Sequence, residues 1–259
     1  MTALGLALLG LSGPAAYATA VGTWLSLAHR RYAKVTGGVG PPASVHAAEV
    51  ARKWRLRRWQ LRGPLPSIQH PVPVLMLHGF VGRAAHFRGM QRAFHAAGRA
   101  THPIELGWPF RGVASYTPPV VQALQRHERV DVVAHSMGGL VIRKALADHP
   151  SLRGRVRRVV TLGTPHHGTE STRGLPPGFP QDIGDLQPES RFLDALPSLS
   201  ELLPAARHTA VAGQWDVVVF PTHRALPDDM ARVVLPDIGH NGLLTEAAAH
   251  RAILHALQG

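Results

Sequence analysis

Val130-Asp-Val-Val-Ala-His-Ser-Met-Gly-Gly-Leu-Val-Ile-Arg-Lys-Ala-Leu146 opens on β-branched residues and closes on helix formers. Val130, Val132 and Val133 suit a buried strand, and the run from Leu140 suits a helix. Ser136 stands at the junction, within Ala134-His-Ser-Met-Gly-Gly139. A strand that stops at a serine and re-emerges as a helix lifts the hydroxyl above the sheet on a sharp turn, the setting a nucleophilic serine needs. The N-terminus of the following helix brings partial positive charge to the same point. Small residues two before and two after the serine, Ala134 and Gly138, let strand and helix cross closely. The pattern is Ala-x-Ser-x-Gly, so one methyl stands where glycine is more usual. The plainer reading of Ser136 is a helix N-cap.

Working outward, strands and helices alternate. Val74-Leu-Met-Leu77 is a short apolar run of the kind a buried parallel strand shows, and it ends at His78-Gly-Phe-Val-Gly82. A helix is expected over 86–97, a strand over 99–106, and a helix over 115–127 with Pro118 and Pro119 in its first turn. The helix after Ser136 should end near Asp148-His-Pro150. Strands are expected over 156–162, 208–212 and 231–235, and a closing helix over 245–257 with Glu246 at its start. Such alternation predicts an α/β fold with a mostly parallel central sheet, helices on both faces and right-handed crossovers. The segment 170–204 is rich in Pro, Gly and Ser, with little periodicity.

A serine hydroxyl needs a base, and the base needs an orienting acid. In an open α/β sheet such groups gather on loops at the C-terminal ends of the strands. Asp216 follows the strand ending at Ala212, and His240 follows the strand ending at Leu235, inside Gly239-His-Asn-Gly242. The chain order Ser136, Asp216, His240 is the order this fold type uses. Asp237, Asp228 and Asp229 are rivals for the acid: the first lies too close to His240 in sequence, and the others sit in a Pro-led turn. With 17 histidines in the chain, position rather than residue type picks out His240. His135 is expected to pack rather than react. The pair His166-His167 lacks the further ligands a metal site needs. An oxyanion needs preorganised N–H donors; Met137, after the serine, and Phe80, in the loop after the first strand, are the candidates.

These stretches together resemble the bacterial lipases and esterases of the α/β-hydrolase superfamily. Leu77-His-Gly-Phe-Val-Gly82 is similar to their oxyanion loop. Ala134-His-Ser-Met-Gly-Gly139 is similar to the elbow of the small Bacillus-type lipases, and Thr161-Leu-Gly-Thr-Pro-His-His-Gly-Thr169 to the segment after the next strand in many triacylglycerol lipases. The resemblance covers about residues 70–258. It implies an α/β-hydrolase fold, a triad of Ser136, Asp216 and His240, no cofactor, and a lid or cap over 170–204. Some larger relatives bind structural calcium or zinc, but the sequence offers no set of metal ligands, so no metal is expected. The activity it implies is cleavage of carboxylic esters, with lipids as the substrate class, through an acyl-enzyme. Two alternatives stay open: hydrolysis of another acyl bond (thioester, amide or lipid-anchor ester), and a non-catalytic, membrane-tethered binding module on the same scaffold.

The rest of the chain falls outside that resemblance. Residues 1–35 form an apolar N-terminal segment, with no Asp, Glu, Lys or Arg from 2 to 28 and with Arg30, Arg31 and Lys34 directly after. Length and flanking charge favour a single membrane span; a signal peptide, leaving a secreted protein, is the alternative. Residues 36–69 read as linker and basic segment. Thr36-Gly-Gly-Val-Gly-Pro-Pro42 is a break, and Arg52-Lys-Trp-Arg-Leu-Arg-Arg-Trp-Gln-Leu-Arg62 interleaves Arg with Trp and Leu. At helical spacing Trp54 and Leu61 share one face while Leu56 and Trp59 fall on another. The segment suits an anionic membrane surface, or it packs its two Trp on the domain. Residues 70–259 are expected to form the α/β-hydrolase domain. The formal net charge of +12 favours anionic partners; without a zinc-finger or RNP pattern, anionic lipid is expected rather than nucleic acid. No cysteine is present, which excludes disulfides, thiolate metal sites and a cysteine nucleophile. Oligomeric state is not readable from the sequence.

Overall fold

A computed structural model of the protein describes residues 28–107, 111–173 and 181–258. The apolar run of residues 2–27 therefore lies outside the described residues. Residues 28–35 are helical. In chain order there follow α1 (Ala43–Gln60), β1 (Val74–Leu77), α2 (Arg88–Ala96), β2 (Thr101–Ile104), α3 (Thr117–Gln125), β3 (Val130–His135), α4 (Gly138–Asp148) and β4 (Val156–Leu162). Three short helices come next, α5 (Gln181–Asp185), α6 (Arg191–Asp194) and α7 (Leu199–Leu202). Then come β5 (Arg207–Gly213), β6 (Ala231–Leu235), α8 (Gly242–Thr245) and α9 (Ala247–Ala256).

The six strands form one sheet in the order β2-β1-β3-β4-β5-β6, every pairing parallel. A parallel sheet must be covered on both faces, so its central strands carry apolar residues throughout. All of β1 and β3 is buried. Successive side chains point to opposite faces, and the two cores sort accordingly. Leu75, Leu77, Val132, Ala134, Val159 and Ala210 pack with α3 and α4. Val74, Met76, Val133, Val160, Leu162 and Val211 pack with α2, α9 and Leu56 of α1. The edge strands β2 and β6 are only partly buried. Pro103, which cannot donate to a ladder, lies in the edge strand β2.

Strands β4 and β6 have the bounds that their Val-rich runs predict. The expected strand over 99–106 shrinks to Thr101–Ile104. Two expected helices begin later, because 3₁₀ turns at Ala84–Phe87 and Val113–Tyr116 lead into α2 and α3. The expected single closing helix is two: the chain turns extended at Glu246 (φ −91°, ψ 138°) between α8 and α9. The basic segment is the C-terminal part of α1, and its two Trp separate. Val45 and Leu56 are buried, and Trp59 lies on Gly89, where an added Cβ would come within 2.5 Å of the indole. Trp54 and Leu61 are 61% and 87% exposed on the other side of the helix, beside exposed Val50. Among the described residues no helix is long and apolar enough to cross a membrane.

Candidate active site

β3 ends at His135, and α4 starts at Gly138. Between them Ser136 has φ +56°, a left-handed conformation that is uncommon for a residue with a side chain. The surroundings hold it there. Its N–H donates to the Leu162 carbonyl at 2.8 Å. Its carbonyl accepts from Thr164 Oγ1 at 2.9 Å and from the Gly139 N–H at 3.1 Å. Gly138 serves a neighbour other than the one its spacing suggests. A Cβ there would lie 2.6 Å from the Leu77 carbonyl oxygen, so the glycine makes room for the end of β1.

The loop after β1 lies against the elbow. A Cβ at Gly79 would come within 2.6 Å of Ser136 Cβ and 3.1 Å of its Oγ. His78 is buried and fixes the loop with both ring nitrogens: Nδ1 donates to the Gly79 carbonyl at 2.9 Å and Nε2 accepts from the Leu106 N–H at 3.0 Å. Val81 has φ +49°. Phe80 lies half-buried in this loop, and Met137 is buried in the first turn after the serine.

Asp216 and His240 come together from the loops after β5 and β6, adjacent strands at one side of the sheet. Asp216 Oδ2 accepts from His240 Nδ1 at 2.7 Å, and both residues are buried. Asp216 Oδ1 accepts from the Val218 and Val219 N–H groups, each at 2.8 Å, which aims the other oxygen. A Cβ at Gly163 (φ +54°) would lie 3.0 Å from Asp216 Oδ2 and 3.1 Å from His240 Nδ1. Gly163 directly follows β4, whose last residue takes the Ser136 N–H, so one short turn borders Ser136, Asp216 and His240. Burial opposes charge on His240, but the Asp216 carboxylate, its hydrogen bond and the charge of Glu49 outweigh it, and the imidazole pKa rises above the ordinary 6.5. The rival acids are engaged elsewhere: Asp228 pairs with Arg232 at 2.6 Å, Asp229 accepts from Ser200, and Asp237 is exposed.

Two participants escape a reading by sequence. His135 is buried, its ring centroid 4.5 Å from that of His240, and its Nε2 donates to the His240 carbonyl at 3.2 Å. It links the elbow to the loop of His240 rather than merely filling space. Glu49, on α1, accepts from the backbone N–H groups of Asn241 and Gly242. A signal for it exists: Glu49 is the only Asp or Glu in the first 104 residues. A cavity of about 570 Å³ lies beside His240 at the seam with the N-terminal elements, walled in part by Arg30, His46, Lys53 and Trp215. His166 is buried and bonded to Thr161 at 3.0 Å, and no cluster of three His, Cys, Asp or Glu suited to a metal occurs among the described residues.

The family model described as a PGAP1-like alpha/beta domain matches residues 116–174, from the turn before α3 through the elbow to the loop after β4. No curated protein matches the chain in sequence. Among solved structures, lipase B of Aspergillus fumigatus is similar with a TM-score of 0.64 and 18% identity, over 73% of this chain and 52% of the fungal one. The chain thus spans about half the length of that lipase. The mature lipase BlEst2 of Bacillus licheniformis gives a TM-score of 0.59 and 17% identity over 74% of this chain and 96% of its own. A thermophilic esterase of Thermogutta terrifontis gives 0.53 and 16% over 74% and 92%. Sheet order, elbow and these neighbours agree: the chain has the α/β-hydrolase fold.

Proposed function

We propose that the protein is a serine hydrolase of carboxylic esters that works on lipid-like substrates. The observation that carries the reading is the buried His240–Asp216 hydrogen bond, 2.7 Å long, on the loops next to a Ser136 held at φ +56° between strand and helix. In this reading His240 takes the proton of Ser136 as Oγ attacks the ester carbonyl. The carbonyl π pair moves to oxygen, and the N–H groups of Phe80 and Met137 stabilise the oxyanion. The intermediate collapses, His240 passes its proton to the leaving alcohol, and an acyl-enzyme remains. Water, deprotonated by the same histidine, then releases the acid and restores Ser136. Asp216 keeps Nδ1 protonated, so that Nε2 is the basic nitrogen.

Lipid as substrate class and a membrane as partner belong to the same proposal. What supports them is the outward stripe of α1, where Val50, Trp54 and Leu61 are exposed beside Arg57 and Arg58, with the Arg57 guanidinium 5.7 Å from the Trp54 ring centroid. Apolar side chains flanked by arginines suit a headgroup region that carries negative charge. The apolar segment 2–27, as a single membrane span, would hold the domain at such a surface; secretion after its cleavage remains the other arrangement.

The test is hydrolysis of p-nitrophenyl esters from short to long acyl chains, wild type beside Ser136→Ala. Turnover that rises with chain length and vanishes in the variant supports the proposal. A folded, active Ser136→Ala enzyme sinks the triad; turnover confined to short chains sinks the lipid substrate. Co-sedimentation with vesicles containing an anionic phospholipid tests the surface, and binding that survives Trp54→Ala with Arg57→Glu and Arg58→Glu removes α1 as the docking face.

A further inference from the structure

The loop bearing His240 is gripped by an element that contributes no strand to the sheet. Glu49 Oε2 accepts from the Asn241 N–H at 2.8 Å, and Oε1 from the Gly242 N–H at 3.0 Å. These two donors immediately follow the histidine, at the start of α8, where no earlier helical carbonyl can take them. Hydrogen bonds to an ionised carboxylate are stronger than neutral ones, and the Glu49 side chain is only 18% exposed, which limits competition from water. Arg52 extends the grip: Nη1 donates to Glu49 Oε1 at 2.9 Å and Nε to Glu246 Oε1 at 2.8 Å. Both ends of α8 are thereby tied to α1.

The residues flanking His240 are shaped around this carboxylate. A Cβ at Gly239 would lie 2.7 Å from the Glu49 carboxyl carbon, and one at Gly242 would lie 3.2 Å from its Oε1. Glu49 thus enters space left open on both sides of the histidine. From the opposite side, His135 bonds the His240 carbonyl.

We propose that Glu49 is a positioning residue for His240, fixing the loop that carries the base and adding a second negative charge, beyond Asp216, in favour of the imidazolium that forms during turnover. The proposal rests on the reading of His240 as the base. The groups facing His240 are Asp216 from the β5 loop, His135 from β3, and Glu49 from α1 with Arg52 and Glu246 behind it. Tyr32, from helical residues 28–35, stands near Asp216 and has its pKa raised by burial and by that carboxylate. His29, Arg30, His46 and Lys53 line the adjoining cavity. His135 is buried and held well below the ordinary histidine pKa, so it stays neutral where His240 titrates. Asp216 and Glu49 are then the negative groups that favour a protonated His240, in that order of influence.

The experiment compares wild type with Glu49→Ala, Glu49→Gln and Ser136→Ala, using p-nitrophenyl ester kinetics across pH and NMR titration of the His240 ring without substrate. Glu49→Ala should lower kcat about ten- to a hundredfold with KM changed less than about twofold, because a misplaced base harms the reacting geometry more than ground-state binding. Glu49→Gln keeps one carbonyl acceptor of the same reach but no charge, and its NH2 replaces the second accepting oxygen. It should recover part of the kcat lost in Glu49→Ala, while the acidic limb of the pH profile and the His240 titration move to lower pH. Wild-type kcat in a folded Glu49→Ala, or an unmoved His240 titration in Glu49→Gln, overturns the proposal. Inactive wild type, or active Ser136→Ala, defeats the hydrolase reading instead, and the NMR titration still decides the role of Glu49. If Glu49→Ala fails to fold, Glu49→Gln carries both measurements.

Discussion

His135 and His240 stand ring against ring, 4.5 Å between centroids, and the first donates from Nε2 to the carbonyl of the second. One residue ends the strand that presents the serine, and the other is the proposed base, so a single hydrogen bond spans 105 positions of chain. His135→Leu should leave that buried carbonyl without its donor. The expected loss of stability is about 1–3 kcal/mol, read by denaturant unfolding, together with a fall in kcat. Unchanged stability and turnover would reduce His135 to the packing role that its sequence position suggests.

To act as the proposed base His240 must be neutral, so kcat/KM should rise with pH as its imidazole loses a proton. Burial acts against protonation, but Asp216 and Glu49 prevail, so the midpoint of the acidic limb is expected above 6.5. Asp216→Asn removes the larger attraction and the tautomer control; it should move the limb to lower pH and cut kcat by about 10⁴-fold. A limb unmoved in that variant would assign it to another group.

Stability should fall on acidification. Burial leads the causes that lower the pKa of His86 (to about 4), His135, His166, His208 and His250. The unfolded chain takes up these protons near 6.5 and the fold resists them. Each such histidine therefore withdraws stability as pH drops from 6.5 towards its folded value, at a slope of at most about 1.4 kcal/mol per pH unit. His240, with a raised pKa, acts in the opposite sense: its contribution is full below 6.5 and is lost as pH rises through the folded value. These five, with His102 and His167 lowered in the same sense, outnumber the one, so the melting temperature at pH 5 should lie below that at pH 7.5. A melting temperature that does not fall would mean that the buried rings are protonated in place.

Gly138→Ala should be tolerated by helix propensity and rejected by contact. The new methyl would face the Leu77 carbonyl at 2.6 Å and the His78 carbonyl at 2.8 Å. Relief requires the loop after β1 to move off the elbow, at a cost of about 1–3 kcal/mol and with loss of turnover if the Phe80 N–H serves the oxyanion. A variant that melts and turns over like wild type would show that the loop has room to spare.

What the sequence makes legible follows from local chemistry. Val156–Leu162 and Ala231–Leu235 are strands with sharp edges because β-branched runs end at turn residues. The elbow reads from one serine between two kinds of residue. Helix starts are blurred where 3₁₀ turns precede them, since both have similar residue preferences. Glu246 looks like a helix-start acid, yet its carboxylate takes Arg52. Glu49, Gly163 and the bonded side of His135 are invisible locally: each acts on residues that only the folded sheet brings near. The split of Trp54 from Trp59 was legible as helical spacing, but which face turns to the domain depends on Gly89, which lets Trp59 in.

The grip of α1 on the His240 loop joins positions 192 and 194 residues apart. During synthesis Glu49 and Arg52 leave the ribosome long before Asn241, Gly242 and Glu246 exist. The elbow and the β1 loop can pair with neighbouring strands of the sheet before the partners of Glu49 are made. The hold of α1 on the loop of the proposed base therefore forms only after β6 and α8 have emerged, later than the strand and helix that present Ser136.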